Sequence, residues 1–170
     1  MSNDHAFQPA QDQRAPEVRV VEVGPRDGLQ NEPHPVPTAA KIAFINALAD
    51  AGLTVVEATS FVNPKAVPQL ADAADVMLGI NRRPGVQYPV LVPNERGLQR
   101  ALAANVSEIA LFTSATDAFA QANVGTSIAG TFERFAPVAE QARAANVSVR
   151  GYVSVAFGCP YSGDVAAGSV

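Results

Sequence analysis

Five short runs rich in β-branched residues punctuate the chain: 18–23 (VRVVEV), 54–61 (TVVEATSF), 88–92 (YPVLV), 108–114 (EIALFTS) and 147–156 (VSVRGYVSVA). Each has the length and composition of a β-strand. Between them lie longer Ala-rich stretches whose apolar positions recur every three or four residues. In 38–51 these are Ile42, Ile45, Leu48 and Ala49, with Thr38 as the expected N-cap and Gly52 as the C-terminal stop. Stretches 66–78, 95–104 and 128–145 read the same way and end at Gly79, Asn105 and Asn146. Strand and helix in repeated alternation predict a parallel sheet with helical cover.

The strand runs are apolar on nearly every position, which suits strands covered on both faces. An open dinucleotide-binding sheet carries G-x-G-x-x-G after its first strand, whereas here Val23 is followed by GPRDGLQNE, so a closed (βα) barrel is favoured. A complete barrel takes about 250 residues. With 170 residues, the chain is expected to be an α/β protein of TIM-barrel type holding about five of the eight βα units. Residues 1–16 have no hydrophobic period and read as a disordered leader, leaving 17–170 as the truncated N-terminal part of the barrel domain. Ser162, Gly163 and Asp164 look like the start of a further helix, and 115–127 like a long polar loop.

Composition narrows the partners. Twelve Lys and Arg against sixteen Asp and Glu give a net charge of −4, and no basic run interleaves with aromatics, which argues against nucleic acid. No apolar stretch approaches the roughly 20 residues of a membrane span, so no membrane partner is expected. A single cysteine, Cys159, and a leader without an apolar core point to a cytoplasmic protein. His5 and His34 lack partners at ligand spacing, so no zinc site is expected, and Cys159 reads as a buried small residue rather than a nucleophile.

In a barrel, chemistry gathers where strands end at their C-termini. Segment 24–32 can be a plain turn, or it can set Asp27 as a hard oxygen ligand for a divalent ion beside Arg26 as an oxyanion donor. Glu57 lies inside an apolar run, where a carboxylate needs a partner, either a structural Arg or a ligand. Ser60 offers a hydroxyl at the same strand end or a loop cap. In the fifth run Ser148, Arg150, Tyr152 and Ser154 share one face, either as an interior polar network or aimed at an anionic or carbonyl-bearing ligand. Asn123 and Ser127 are ligand candidates in the polar loop.

The strings VEVGPRDGLQNE, VEATSFVNPKAVPQLAD, YPVLVPN and SVRGYVSVAFGCPYSG strongly resemble the 3-hydroxy-3-methylglutaryl-CoA lyases, metal-dependent enzymes built on a TIM barrel. Isopropylmalate and homocitrate synthases would share a short Arg-Asp-Gly match, but the longer strings are particular to the lyases. The resemblance implies retro-Claisen cleavage of a 3-hydroxy-3-methylglutaryl thioester to acetyl-CoA and acetoacetate. It implies an acyl-CoA as the small-molecule partner and a homo-oligomer as the full-length form. Asp27 matches the metal-binding aspartate, for Mg2+ or Mn2+; Arg26 matches the arginine that stabilises the enolate oxygen, and Glu57 the catalytic glutamate. Asn123, Arg150 and Tyr152 fall on substrate or CoA recognition positions, and Gln30 and Ser60 are lesser candidates at the same mouth. Removing a hydroxyl proton while charge develops on a thioester carbonyl suits a hard cation and a guanidinium. Family members draw further metal ligands from a later His-x-His element and an Asn, and a catalytic cysteine from a later glycine-rich loop. None of these is in the sequence, so the remaining ligands are expected outside it and the chain alone is expected to be inactive. Rival readings are a lyase or condensing enzyme for another branched 3-hydroxyacyl-CoA, and a non-catalytic partial barrel that assembles with a partner.

Overall fold

The structure, a computed structural model, describes residues 19–170, so the expected leader 1–16 lies outside the described residues. Four parallel strands stand side by side in chain order: β1 (Thr59–Ser60), β2 (Val90–Leu91), β3 (Glu108–Ser114) and β4 (Ser148–Ser154). The first apolar run adds a single parallel bridge, in which Glu22 N–H donates to the Val55 carbonyl at 3.0 Å and Glu57 N–H donates to the Glu22 carbonyl at 2.8 Å. Strand order therefore advances without reversal, as in an arc of a TIM-type barrel; a doubly wound sheet reverses order partway.

The helices are α1 (Thr38–Asp50), α2 (Ala73–Gly79), α3 (Glu95–Ala103), α4 (Asp117–Val124) and α5 (Ile128–Ala144). α1 buries Lys41, Ile45 and Ala49, spaced four apart on one face. The core fills the space between these helices and the sheet: Ile45, Val56, Val90, Leu98, Ile109 and Val138 are all fully buried within it. Each such side chain contributes about 1.5–3 kcal/mol by leaving water. β4 is the edge strand, and its Val149 and Val153 remain 38% and 43% exposed, so the two-sided burial expected of every strand fails here.

Four local expectations are corrected. Pro37, not Thr38, occupies the N-cap position of α1, and the Thr38 hydroxyl instead donates to Asp72 Oδ2 at 2.7 Å. The helix expected over 66–78 is split into a 3-10 turn (Pro68–Leu70) and α2, because Pro68 lacks an N–H and holds Val67 out of the helical region, at φ −132° and ψ 82°. The polar loop 115–127 contains α4, started by Thr116, whose hydroxyl accepts from Phe119 N–H at 3.3 Å, and stopped by left-handed Gly125 at φ 69°. Ser162 to Asp164 start no helix: Gly163–Asp164 forms β6, antiparallel to β5 (Gly158–Cys159). Positive φ at Gly163 turns the chain back.

Lys41 is a feature the hydrophobic pattern missed. Only 4% exposed, its ammonium donates to Asp72 Oδ1 at 2.6 Å and to the Gln69 carbonyl at 2.5 Å, tying α1 to the start of α2. Removing one partner of a buried pair leaves the other charge without compensation. Lys41→Met is expected to lower unfolding free energy by about 2–3 kcal/mol, discounted for the partly exposed Asp72. Urea denaturation checks this, and adding Asp72→Leu should recover part of the loss; a single variant with an unchanged midpoint would show that the pair is dispensable.

Candidate active site at the strand C-termini

Glu57 follows Val56 and precedes Ala58, both packed in the core, so strand alternation turns its carboxylate to the opposite face of the sheet. It is fully buried, and two donors from distant parts of the chain compensate it. Arg26 Nε–H donates to Oε1, and the Tyr152 hydroxyl donates to Oε2 at 2.6 Å. Burial, then the hydrogen bond to Glu57 and the charge of Glu57, push the Tyr152 phenol well above its ordinary range, so it remains a proton donor.

Arg26 and Asp27 are held by a π-turn over Gly24–Gly28, in which Asp27 N–H donates to the Val23 carbonyl at 2.7 Å and Leu29 N–H reaches back to Gly24. π-turns frequently mark functional positions. The Gly24 N–H donates to Glu22 Oε1 at 2.6 Å, which anchors that carboxylate at the start of the turn. The turn sends adjacent side chains to different places. Arg26 is 14% exposed and bound to Glu57, whereas Asp27 is 55% exposed and accepts from Arg26 Nη1 at 2.6 Å. Segment 24–32 is thus both the turn and the carrier of charged groups.

The other candidates separate. Arg150 donates through Nε and Nη2 to Glu108 Oε1 at 3.2 and 3.0 Å, an interior ion pair between β3 and β4. The Ser60 hydroxyl is buried and donates to the Leu91 carbonyl at 3.2 Å, joining β1 to β2. Gln30 is half-buried just beyond the π-turn, and Asn123 is exposed on α4. Ser127 caps α5, accepting from Gly130 N–H at 3.1 Å. The described residues contain no group of three or more His, Cys, Asp or Glu able to enclose a metal. Asp27 alone, exposed and already bonded to Arg26, does not fit a complete divalent-ion site.

One group beside Glu57 escaped the sequence reading. Thr59 is 1% exposed, two residues along the same strand from Glu57, and its hydroxyl has no partner among the described residues. Period two from Glu57 was the signal that could have found it. Cys159 is buried as expected, but burial of its thiol is outweighed by hydrogen bonds from Ser162, Thr116 and the Tyr161 backbone, which bring it down to about 7.

Thr59→Val is expected to raise stability by about 1 kcal/mol by removing an unpaired buried hydroxyl; a comparable loss in urea denaturation would reveal an acceptor for it. For Cys159 the ionised thiol is favoured in the fold, so its contribution to stability is present above the unfolded value near 9 and fades as pH falls through about 7. Alkylation by iodoacetamide should accordingly show a midpoint near pH 7, and a midpoint at an ordinary thiol value would refute the hydrogen-bonded arrangement.

The HMGL-like family model matches residues 17–170. The mitochondrial hydroxymethylglutaryl-CoA lyase of Gallus gallus is 55% identical over 153 residues, 90% of this chain and 51% of the relative. The Pseudomonas aeruginosa 3-hydroxy-3-isohexenylglutaryl-CoA/hydroxy-methylglutaryl-CoA lyase is 53% identical over 148 residues, 87% of this chain and 49% of that protein. A solved hydroxymethylglutaryl-CoA lyase from P. aeruginosa aligns with a TM-score of 0.86 at 53% identity, covering 88% of this chain and 50% of that one. A solved HMG-CoA lyase from A. baumannii, in complex with coenzyme A and 3-methylmalate, aligns at 0.83 and 41% identity, covering 89% and 49%. The chain spans about half the length of the curated relatives it matches. The cytoplasmic expectation is overturned: the chicken, rat and mouse relatives are named as mitochondrial, alongside one rat relative named as cytoplasmic. One unpaired cysteine and a polar N-terminal stretch do not separate cytosol from an organelle matrix. Parallel strands in chain order, a charged π-turn after the first apolar run and a family match from residue 17 to residue 170 make this chain a member of the HMGL-like family.

Proposed function

We propose that the protein is a carbon–carbon lyase cleaving 3-hydroxy-3-methylglutaryl-CoA to acetyl-CoA and acetoacetate, with the activity belonging to the full-length barrel and the 170-residue chain alone inactive. The observation that carries the reading is the buried Glu57 carboxylate gripped by Arg26 and Tyr152 at the strand ends. Similarity to the A. baumannii lyase solved with coenzyme A supports an acyl-CoA as the partner.

In the reaction the C3 hydroxyl loses its proton and becomes the ketone of acetoacetate as the C2–C3 bond breaks. The electron pair of that bond moves to the thioester as an enolate, which takes up a proton at C2 to give acetyl-CoA. Arg26 is assigned to the enolate oxygen, where a fixed guanidinium stabilises charge that appears only as the bond breaks. Glu57 is assigned to the face of the tertiary hydroxyl, and Tyr152 fixes the orientation of its carboxylate. Substrate contacts are assigned to Gln30, Ser60, Asn123, Arg150 and Tyr152, with Arg150 acting from its ion pair with Glu108. Asp27 is assigned as one ligand of Mg2+ or Mn2+. Arg26, Asp27 and Glu57 together carry a net charge of −1, which favours a cation, but one carboxylate holds a divalent ion weakly.

A longer branched acyl group is the second reading, favoured by the isohexenyl substrate in the name of the P. aeruginosa relative. Comparing kcat/KM for the methyl and isohexenyl thioesters decides between them.

Three measurements test the main reading. Intact mass of the native polypeptide should exceed 17.7 kDa, and a value equal to it would favour a partial barrel completed by a partner. In the full-length enzyme, Arg26→Met should lower kcat by about 10²-fold or more, and Asp27→Ala should abolish metal-dependent release of acetoacetate. A loss confined to KM in the first variant, or near-normal turnover in the second, would overturn those assignments.

A further inference from the structure

A cleft of about 600 Å³ opens between the segment that follows β1 and the first turns of α3, which follows β2. It therefore lies at the same end of the strands as Arg26 and Glu57 but is lined by different residues. Lys65, Arg96 and Arg100 all line it, and no carboxylate does. Among the described residues, none of the three cations pairs with a carboxylate. The acidic neighbour Glu95 is engaged elsewhere, accepting from Gln141 on α5 at 2.6 Å.

Arg100 makes the cleft more than a chance meeting of surface charges. Its guanidinium stands 5.4 Å from the Phe61 ring centroid, and Nη1 donates to the Val62 carbonyl at 3.1 Å. Phe61 is 1% exposed, so this platform is rigid. A ring face and one carbonyl dipole soften the cation without neutralising it. The guanidinium is thus half-buried and fixed before any ligand arrives, so binding loses little side-chain entropy there. Lys65 and Arg96 add two further positive charges at the rim.

We infer that this cleft binds a phosphate or diphosphate group. Three cations without a carboxylate partner among the described residues, in a volume of this size, exceed what one carboxylate can satisfy and suit an anion with two or more negative charges and several acceptor oxygens. On the lyase reading, the source is the phosphate-bearing part of the acyl-CoA, with the acyl end directed to Arg26. Without that reading, the source is a free phosphate or diphosphate.

Calorimetric titration of the native protein with inorganic pyrophosphate and, separately, with coenzyme A tests the inference. Saturable binding is expected to weaken about two- to fivefold in Lys65→Gln and in Arg96→Gln, and about tenfold in Arg100→Gln. The two exposed positions, combined in one variant, carry the test if loss of the Phe61 contact unfolds Arg100→Gln. Variant-sensitive binding of both probes supports the cleft with coenzyme A as the source. Variant-sensitive pyrophosphate binding by a protein that does not bind coenzyme A supports the cleft and removes the lyase reading. The inference is overturned if neither probe binds, or if the variants leave both affinities unchanged; turnover that persists in that case leaves the lyase reading standing.

Discussion

A carboxylate without water must have donors, and the fold is arranged so that Glu57 has two. An ionised carboxylate transferred into a protein interior without compensation costs several kcal/mol. Here the compensation comes from Arg26, 31 residues earlier, and Tyr152, 95 residues later. The turn after the first apolar run, the segment leading into β1 and the edge strand β4 must all be in place before the charge is satisfied. Tyr152 can serve throughout the physiological range, because the burial that makes Glu57 expensive also holds the phenol in its protonated form.

The π-turn resolves a second conflict. A cation that balances a buried anion must itself be largely buried, whereas a carboxylate offered to a ligand must remain open. The extra residue in the Gly24–Gly28 turn allows Arg26 to reach inward while Asp27 stays at the rim, and the bond between them couples rim to interior. A charge change at Asp27 is therefore felt at Glu57 through a single guanidinium.

Much of this was legible along the chain because it depends on local period. The bounds of β3, and those of α5 to within one residue, follow from apolar spacing and from the turn residues beside them. Glu57 stood out as a charge inside an apolar run. Its partner Tyr152 was legible as a member of a polar face, but the pairing was not, since it depends on closure over 95 residues. α4 escaped because eight residues with only Ala120 buried carry almost no apolar stripe, and its cap and stop resemble loop residues. Lys41 escaped because a lysine on an amphipathic helix ordinarily marks the wet face; only Asp72 and the Gln69 carbonyl, brought across from another segment, make its burial tolerable. Arg100 owes its significance to the Phe61 ring beneath it, which no linear pattern reveals.

Charge at this end of the sheet is segregated rather than averaged. The chain as a whole carries −4, yet Lys65, Arg96 and Arg100 converge on one cleft, while Arg26, Asp27 and Glu57 leave a slight negative excess at the neighbouring strand ends. At physiological ionic strength fields between exposed charges decay over about 8 Å, so a ligand at the mouth responds to these two clusters and not to the net charge. An anion is drawn to the first and a cation to the second. On the inference that the cleft takes phosphate, a molecule with phosphates at one end is drawn by that end to the cleft and kept by it from the negative strand ends, before any contact with the reacting carbon is made.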